Sequence, residues 1–278
     1  MNDIKLKSML EQFFIEDIGD GDLSSMTLFP EEVLGEMVFV AKMDGVFCGN
    51  KVIQLGTSIV DPFTKVICHL RDGEYIRKGE EIATFQGSVQ SLLKSERVLL
   101  NIIQRMSGIA SETNDVVQRV KGTTTKICDT RKTMPGLRML DKYAVRMGGG
   151  SNHRSGLYDA VMLKDNHLAF AGSISKAVET IKKNIGHTVK IEVEIESYEQ
   201  LKEAVEAKVD IIMFDNCTPK QIKEWKVIVP NSIITEASGN ITKETIYDYA
   251  NAGIDFISLG YLTHSVQAFD ISAVVSIN

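Results

Sequence analysis

Four short apolar runs in the second half of the chain, at 191–193, 211–214, 233–235 and 256–259, begin about 20 to 23 residues apart. That period holds one strand and one helix, so it predicts repeated βα units and a parallel sheet. Amphipathic stretches at 173–183, 198–207 and 243–252 lie between runs, each able to turn an apolar stripe onto the sheet. Earlier runs at 127–128 and 161–163 raise the expected strands to six, fewer than the eight of a closed barrel. Nearly every strand runs into polar groups: Asp129-Thr130-Arg131-Lys132, Lys164-Asp165-Asn166-His167, Glu194, Asp215-Asn216, Glu236-Ala237-Ser238-Gly239-Asn240 and Gly260-Tyr261. In a barrel of parallel strands such ends converge on one mouth, where active sites of that architecture sit.

The first hundred residues have another rhythm. Strands are expected at 37–41 (MVFVA), 65–70 (KVICHL) and 81–85 (EIATF), separated by Asp44-Gly45 and Asp72-Gly73 turns. Leu92, Leu93, Val98, Leu99, Ile102, Ile103 and Met106 recur at helical spacing and predict a helix over 91–118, with Gly108 a weak point. The opening MNDIKLKSMLEQFF mixes acidic residues into an amphipathic pattern unlike a signal peptide, and no segment approaches a membrane span. Cys48, Cys68, Cys128 and Cys217 lack zinc-site spacing and point to a reduced, cytoplasmic setting. With 44% apolar and 24% charged residues among 278, disorder and a disulfide-stapled mini-fold are excluded.

The net charge of −6 argues against general nucleic-acid binding, yet residues 105–164 hold 11 Lys and Arg against 5 Asp and Glu. Arg131, Lys132 and Lys164 follow strands and Arg154 ends a Gly-rich stretch, GGGSNHR; gathered at one mouth, they would grip carboxylates and phosphates. Arg138, Lys142 and Arg146, at i, i+4 and i+8, read instead as a solvated helical stripe. In KIEVEIE (190–196) alternation sets Ile191, Val193 and Ile195 against Glu192, Glu194 and Glu196; with the apolar face on the helices, the glutamates point into the barrel. Glu194 and Asp215 suit Mg²⁺ held through water, and equally suit ion pairing with nearby cations. Ser238-Gly239-Asn240, and Gly260 with Thr263 and His264, offer amides and hydroxyls for a phosphate.

Read together, SERVLLNIIQRMSGIA (95–110), DTRKTMPGLRMLDKYAVRMGGGSNHRSGLYDAVMLKDNH (129–167), VEIE, MFDN, EASGN and SLGYLTHSVQAFDIS (258–272) resemble the quinolinate phosphoribosyltransferases, the carboxylating nicotinate-nucleotide diphosphorylases. EDIGDGDLSS (16–25) is similar to their N-terminal signature, and the matches run over nearly the whole chain in order. The resemblance implies an N-terminal α/β sandwich over 1–110, an open α/β barrel over 111–265, and a tail over 266–278 packing back on the first domain. It implies a pentosyltransferase that joins quinolinate to 5-phosphoribosyl 1-diphosphate, releasing CO₂ and diphosphate and forming nicotinate mononucleotide for NAD synthesis. Arg105 would reach quinolinate from a neighbouring subunit of a dimer or of a hexamer built from dimers, and Thr130, Arg131, His153, Arg154 and Lys164 would complete that pocket. Lys132 would contact the phosphoribosyl donor, Glu194 and Asp215 its Mg²⁺ and ribose region, and Ser238, Gly239, Asn240, Gly260, Tyr261 and His264 its 5-phosphate end.

Two rivals are weaker. A molybdenum-locus relative shares the fold, but the intact DTRKT and KDNH favour the quinolinate enzyme. RDGEYIRKGEEIATFQG (71–87) has the turn rhythm of a biotinyl or lipoyl carrier without a lysine in the modification motif, and reads as structural.

Overall fold

The computed structural model describes residues 1–277. In chain order the first half runs α1 (Asp3–Ile18), α2 (Leu23–Leu28), β1 (Leu34–Ala41), β2 (Gly45–Val46), α3 (Asn50–Val60), β3 (Lys65–Cys68), β4 (Tyr75–Ile76), β5 (Glu81–Ser88) and α4 (Val89–Arg119). There follow β6 (Lys126–Cys128), α5 (Arg138–Met147), β7 (Val161–Leu163), α6 (Asp165–Ala171), α7 (Ile174–Asn184), β8 (Ile191–Ile195) and α8 (Tyr198–Glu206). The chain closes with β9 (Ile211–Asp215), α9 (Pro219–Trp225), β10 (Ile234–Ser238), α10 (Ile246–Asn251), β11 (Phe256–Ser258), α11 (Tyr261–His264) and β12 (Ile271–Ile277). Two units emerge: one comprises Met1–Asn114, Met139–Gly149 and the chain from Ser265 on, the other Asp115–Arg138 and Gly150–His264.

The first unit is built on an antiparallel sheet in the order β12-β1-β5-β3. Strand β1 buries Met37, Phe39 and Ala41 and leaves Glu36, Val38 and Val40 part-exposed, the alternation of a sheet covered on one face. Phe39 packs on Phe85 of β5 with ring centroids 4.7 Å apart. Helix α1 buries Leu6, Leu10 and Phe14, spaced by four, with Phe14 beside Gly56 of α3. Asp72, expected as a turn residue, also starts α3: its Oδ1 accepts the amides of Gly49 and Asn50 at 2.7 and 2.8 Å. Its Oδ2 accepts the Tyr143 hydroxyl at 2.7 Å, which ties α5 into this unit. The chain beyond Ser265 lies along α4, where Gln104 Nε2 donates to the Ile271 carbonyl at 2.9 Å and Phe269 N to the Gln104 carbonyl at 2.9 Å.

The second unit is a six-stranded sheet in the order β6-β11-β10-β9-β8-β7, every pair parallel. The order is that of a barrel ring interrupted between β6 and β7. Both faces of its central strands are buried, as parallel sheets require. Ile191, Val193 and Ile195 join Ile212, Phe214, Ala237 and Ile257 in the apolar core beneath the helices. Capping boxes start α8 and α9: Ser197 faces Gln200, and Thr218 faces Gln221. The strand expected at 233–235 runs 234–238, which brings Glu236 and Ser238 into the sheet rather than the loop. The helix expected from 243 begins at Ile246, because the Thr242 amide bonds Thr245 Oγ1 at 3.0 Å.

Gly108 is helical, and space rather than flexibility demands it: a Cβ there would overlap the Gln267 carbonyl. Gly108→Ala, despite its better helix propensity, should therefore lower stability by about 1–3 kcal/mol, measured by denaturant unfolding.

Candidate active site

Strand β6 is followed directly by Asp129, a fully buried carboxylate. Its Oδ2 accepts Asn152 Nδ2 at 2.6 Å and its Oδ1 the His153 amide at 2.8 Å. Ser151 adds a parallel bridge to Cys128, with Ser151 N donating to the Ile127 carbonyl at 2.8 Å. The segment holding His153 and Arg154 is thereby laid along the edge of β6 that the interrupted ring leaves open. Arg138 ties the two loops again, donating from Nε to Thr133 Oγ1 at 3.0 Å and from Nη1 to the Ser155 carbonyl at 3.1 Å.

That arrangement corrects the solvated stripe expected of Arg138, Lys142 and Arg146. Arg138 is a part-buried cross-link and Lys142 is buried at 6% exposure, while Arg146 is exposed, 5.6 Å over the Tyr143 ring. Four-residue spacing identifies a shared helix face but says nothing of which face is covered.

The C-terminal ends of the parallel strands surround a cavity of about 530 Å³. Its lining includes Thr130, Arg131 and Lys132 after β6, His153 and Arg154, Lys164 after β7, Glu194 of β8, Asp215 of β9 and Ser238 of β10. Met162, Met213 and Ser258 contribute from within strands, and Asp165, Glu196 and Gln200 complete it. Gly239, Asn240, Gly260, Tyr261 and His264 stand outside that lining, on the segments that follow β10 and β11. Gly239 and Asn240 hold φ of +91° and +52°, and a Cβ on Gly239 would overlap the Asn216 side chain, so this turn needs glycine for both conformation and space. Asn240 Nδ2 donates to Asn216 Oδ1 at 3.0 Å. A Cβ on Gly260 would lie 3.0 Å from Lys132 Cδ and 3.1 Å from His264 Cδ2, so these three residues are neighbours.

The cations are crowded. Burial, and then the charge of Arg131, lower the proton affinity of the Arg154 guanidinium. Arg131 Nε is buried without a hydrogen-bond partner. Two repelling guanidiniums with an unmet donor form a site for an anion. Lys164 Nζ pairs with Glu194 Oε1 at 2.5 Å, so the ion-pairing alternative for Glu194 is present. Burial nevertheless raises the Glu194 pKa above its usual value, aided by Asp215 and Glu192 and opposed by Lys164.

Below the pocket lies a cluster that the sequence reading did not assemble. His153 Nε2 is 3.0 Å from Glu192 Oε2 and 3.7 Å from Glu236 Oε1, and both glutamates are buried. Strand alternation across 234–238 would have placed Glu236 with Ser238 on the inner face, had the strand been read to its full length.

Arg105 belongs to the first unit. Asp141 of α5, fully buried, takes its Nε and Nη2, both at 2.8 Å. The pocket lining, drawn wholly from the second unit, does not include it.

Comparisons with known proteins agree over the chain's length. A family model described as the quinolinate phosphoribosyl transferase C-terminal domain matches residues 109–274, and one for the N-terminal domain matches 22–107. The probable nicotinate-nucleotide pyrophosphorylase (carboxylating) of Bacillus subtilis is 50% identical over 278 residues, covering 100% of this chain and 96% of that one. The chloroplastic nicotinate-nucleotide pyrophosphorylase (carboxylating) of Arabidopsis thaliana is 38% identical, covering 96% and 82%. The crystal structure of NadC from Streptococcus pyogenes is similar with a TM-score of 0.96 at 37% identity, covering 100% of this chain and 99% of its own.

Removing the buried partner of a paired arginine is costly. Asp141→Ala should destabilise the protein by about 3 kcal/mol, seen as a lower denaturant midpoint, with Asp141→Asn losing less because one acceptor remains.

Proposed function

The chain belongs to the quinolinate phosphoribosyl transferase family, and from that premise we propose how its pocket carries out the reaction. The enzyme transfers phosphoribosyl from 5-phosphoribosyl 1-diphosphate to quinolinate with decarboxylation, giving nicotinate mononucleotide, CO₂ and diphosphate in NAD synthesis. The observation that carries the pocket assignment is the pair of crowded guanidiniums, Arg131 and Arg154, with a buried donor unmet on Arg131. Quinolinate is a dianion, and each unit charge met at about 4 Å is worth about 4 kcal/mol at an effective dielectric of about 20.

In this reading Thr130, Arg131, His153, Arg154 and Lys164 hold quinolinate, which leaves Lys132 and the turns after β10 and β11 for the donor. The closeness of Lys132, Gly260 and His264 supports that division, since a phosphate would find a cation, backbone and imidazole together. Glu194 and Asp215 fit Mg²⁺ by chemistry: both offer hard oxygen donors at the pocket, and Asp215 adds to the charge that raises the Glu194 pKa, a strain that a dication relieves. Bound there, Mg²⁺ supplies charge neutralisation for the departing diphosphate.

The pyridine nitrogen bonds to C1 of the ribose as the C1–oxygen bond breaks and its electron pair leaves with diphosphate. Positioning suffices for this displacement, without a side-chain nucleophile. The ring nitrogen is then cationic. It stabilises the electron pair left on the adjacent carbon when that carbon's carboxylate departs as CO₂, and the carbon takes up a proton.

Arg105 is assigned to the quinolinate site of a neighbouring subunit, in a dimer or a hexamer of dimers. Its fixed orientation on Asp141 supports a recognition role over a solvated one. Four free cysteines support a cytoplasmic setting, and no helix among the described residues is long and apolar enough to cross a membrane.

Purified protein given quinolinate, 5-phosphoribosyl 1-diphosphate and Mg²⁺ should release CO₂ and nicotinate mononucleotide; turnover of nicotinic acid but not quinolinate overturns the reading. Arg105→Ala should weaken quinolinate binding. Mixed with Lys164→Ala after verified subunit exchange, it should regain part of the lost activity, and no regain defeats the shared site.

A further inference from the structure

The inner face of the second unit buries more acid than its reaction chemistry uses. Glu236, on β10, is 4% exposed, and its Oε1 has no hydrogen-bond partner. Facing it are Glu192 from β8, Asp129 from the end of β6 and His153 from the segment laid along that strand. The neighbouring strands add no cation: β9 places Met213 beside it in register, and β11 offers the Ser258 hydroxyl. Three buried carboxylates thus share the surroundings of one imidazole.

The imidazole is poorly placed to balance them. His153 Nδ1 accepts the Arg154 amide at 2.7 Å, which reserves the ring proton for Nε2, the atom facing Glu192 and Glu236. One imidazole cannot offset three carboxylates, and Glu236, unbonded at Oε1, is the carboxyl group with an open oxygen.

We propose that Glu236 takes up a proton when quinolinate binds, so that capture of the dianion is linked to protonation of a carboxyl group buried beneath the pocket. The inference rests on the assignment of quinolinate to the wall that contains His153 and Arg154. Burial, then the charge of Glu192, already bring the Glu236 pKa up to about 7, against a partial counter-effect of His153. A dianion placed over His153 adds negative charge to the same low-dielectric region and moves the titration to higher pH. Between the free and bound pKa values, binding must draw a proton from solvent. Well below that window the proton is already present, and well above it neither state holds one.

Titration calorimetry with quinolinate alone, run in buffers of different ionisation enthalpy, reads this uptake directly. The wild-type protein should take up a substantial fraction of one proton per site at about pH 7.5, falling away toward about pH 6 and about pH 9. Glu236→Gln keeps the shape and loses the acid, so its binding heat should be independent of buffer. Glu236→Asp keeps an acid and should retain uptake with its maximum at another pH. A wild-type heat that is the same in every buffer overturns the inference without any variant, as does a Glu236→Gln protein with undiminished uptake. No binding heat at all, in a protein that also fails to turn over quinolinate, overturns the pocket assignment instead.

Discussion

One buried carboxylate organises the catalytic unit. Asp129 directly follows β6 of the parallel sheet, and with both oxygens it grips the segment carrying His153 and Arg154. A carboxylate taken wholly out of water is tolerated only where its hydrogen bonds are satisfied, so its burial and its grip are one fact. Without it, that segment would be held to the open edge of β6 only through the Ser151 backbone bridge and the Arg138 brace. Arg131, two residues after Asp129, and Arg154, next to the gripped His153, would then lose part of what holds them close. The interrupted ring turns into an asset here: a strand paired at that edge would occupy the place where the second loop docks.

Sorting of charge along the chain does the remaining electrostatic work. The acidic total of −6 coexists with a basic stretch from 105 to 164, and the structure separates that stretch into distinct uses. Arg131, Lys132, Arg154 and Lys164 face the cavity, Arg138 braces loops, and Arg105 is committed to Asp141 in the other unit. Glu194 and Asp215 come from β8 and β9, so these carboxylates reach the pocket from a later part of the sequence than its cations. A pocket so built can receive two anionic substrates while the protein as a whole remains mildly acidic.

The parallel sheet was legible because its period is set by geometry: a strand, a helix of matching length and two short turns repeat over a nearly fixed span. Strand ends were less so. At 233–238 hydropathy falls at Glu236, although the backbone stays extended, because polar side chains on the inner face of a barrel still belong to a strand. Arg131, Lys132 and Lys164 were legible for the same reason that the sheet was, since each follows a strand, and Arg154 was legible from the glycine-rich stretch that it ends. The burial of Lys142 and the bracing by Arg138 were not, because they depend on which face of α5 is covered. The cluster of Glu192, His153 and Glu236 draws on three segments between 153 and 236 and needs the strand order to be seen.

Helix α5 follows the loop of Arg131 and precedes that of Arg154, yet from Met139 onward it is counted with the first unit. The polypeptide consequently passes between units four times, and neither unit is encoded by an unbroken stretch of gene. A recombination event that moved the pocket as a cassette would carry along a piece of its neighbour and leave behind a hole in the donor. Neither unit can therefore be cut out as one contiguous stretch of the chain, despite the look of a pair of domains.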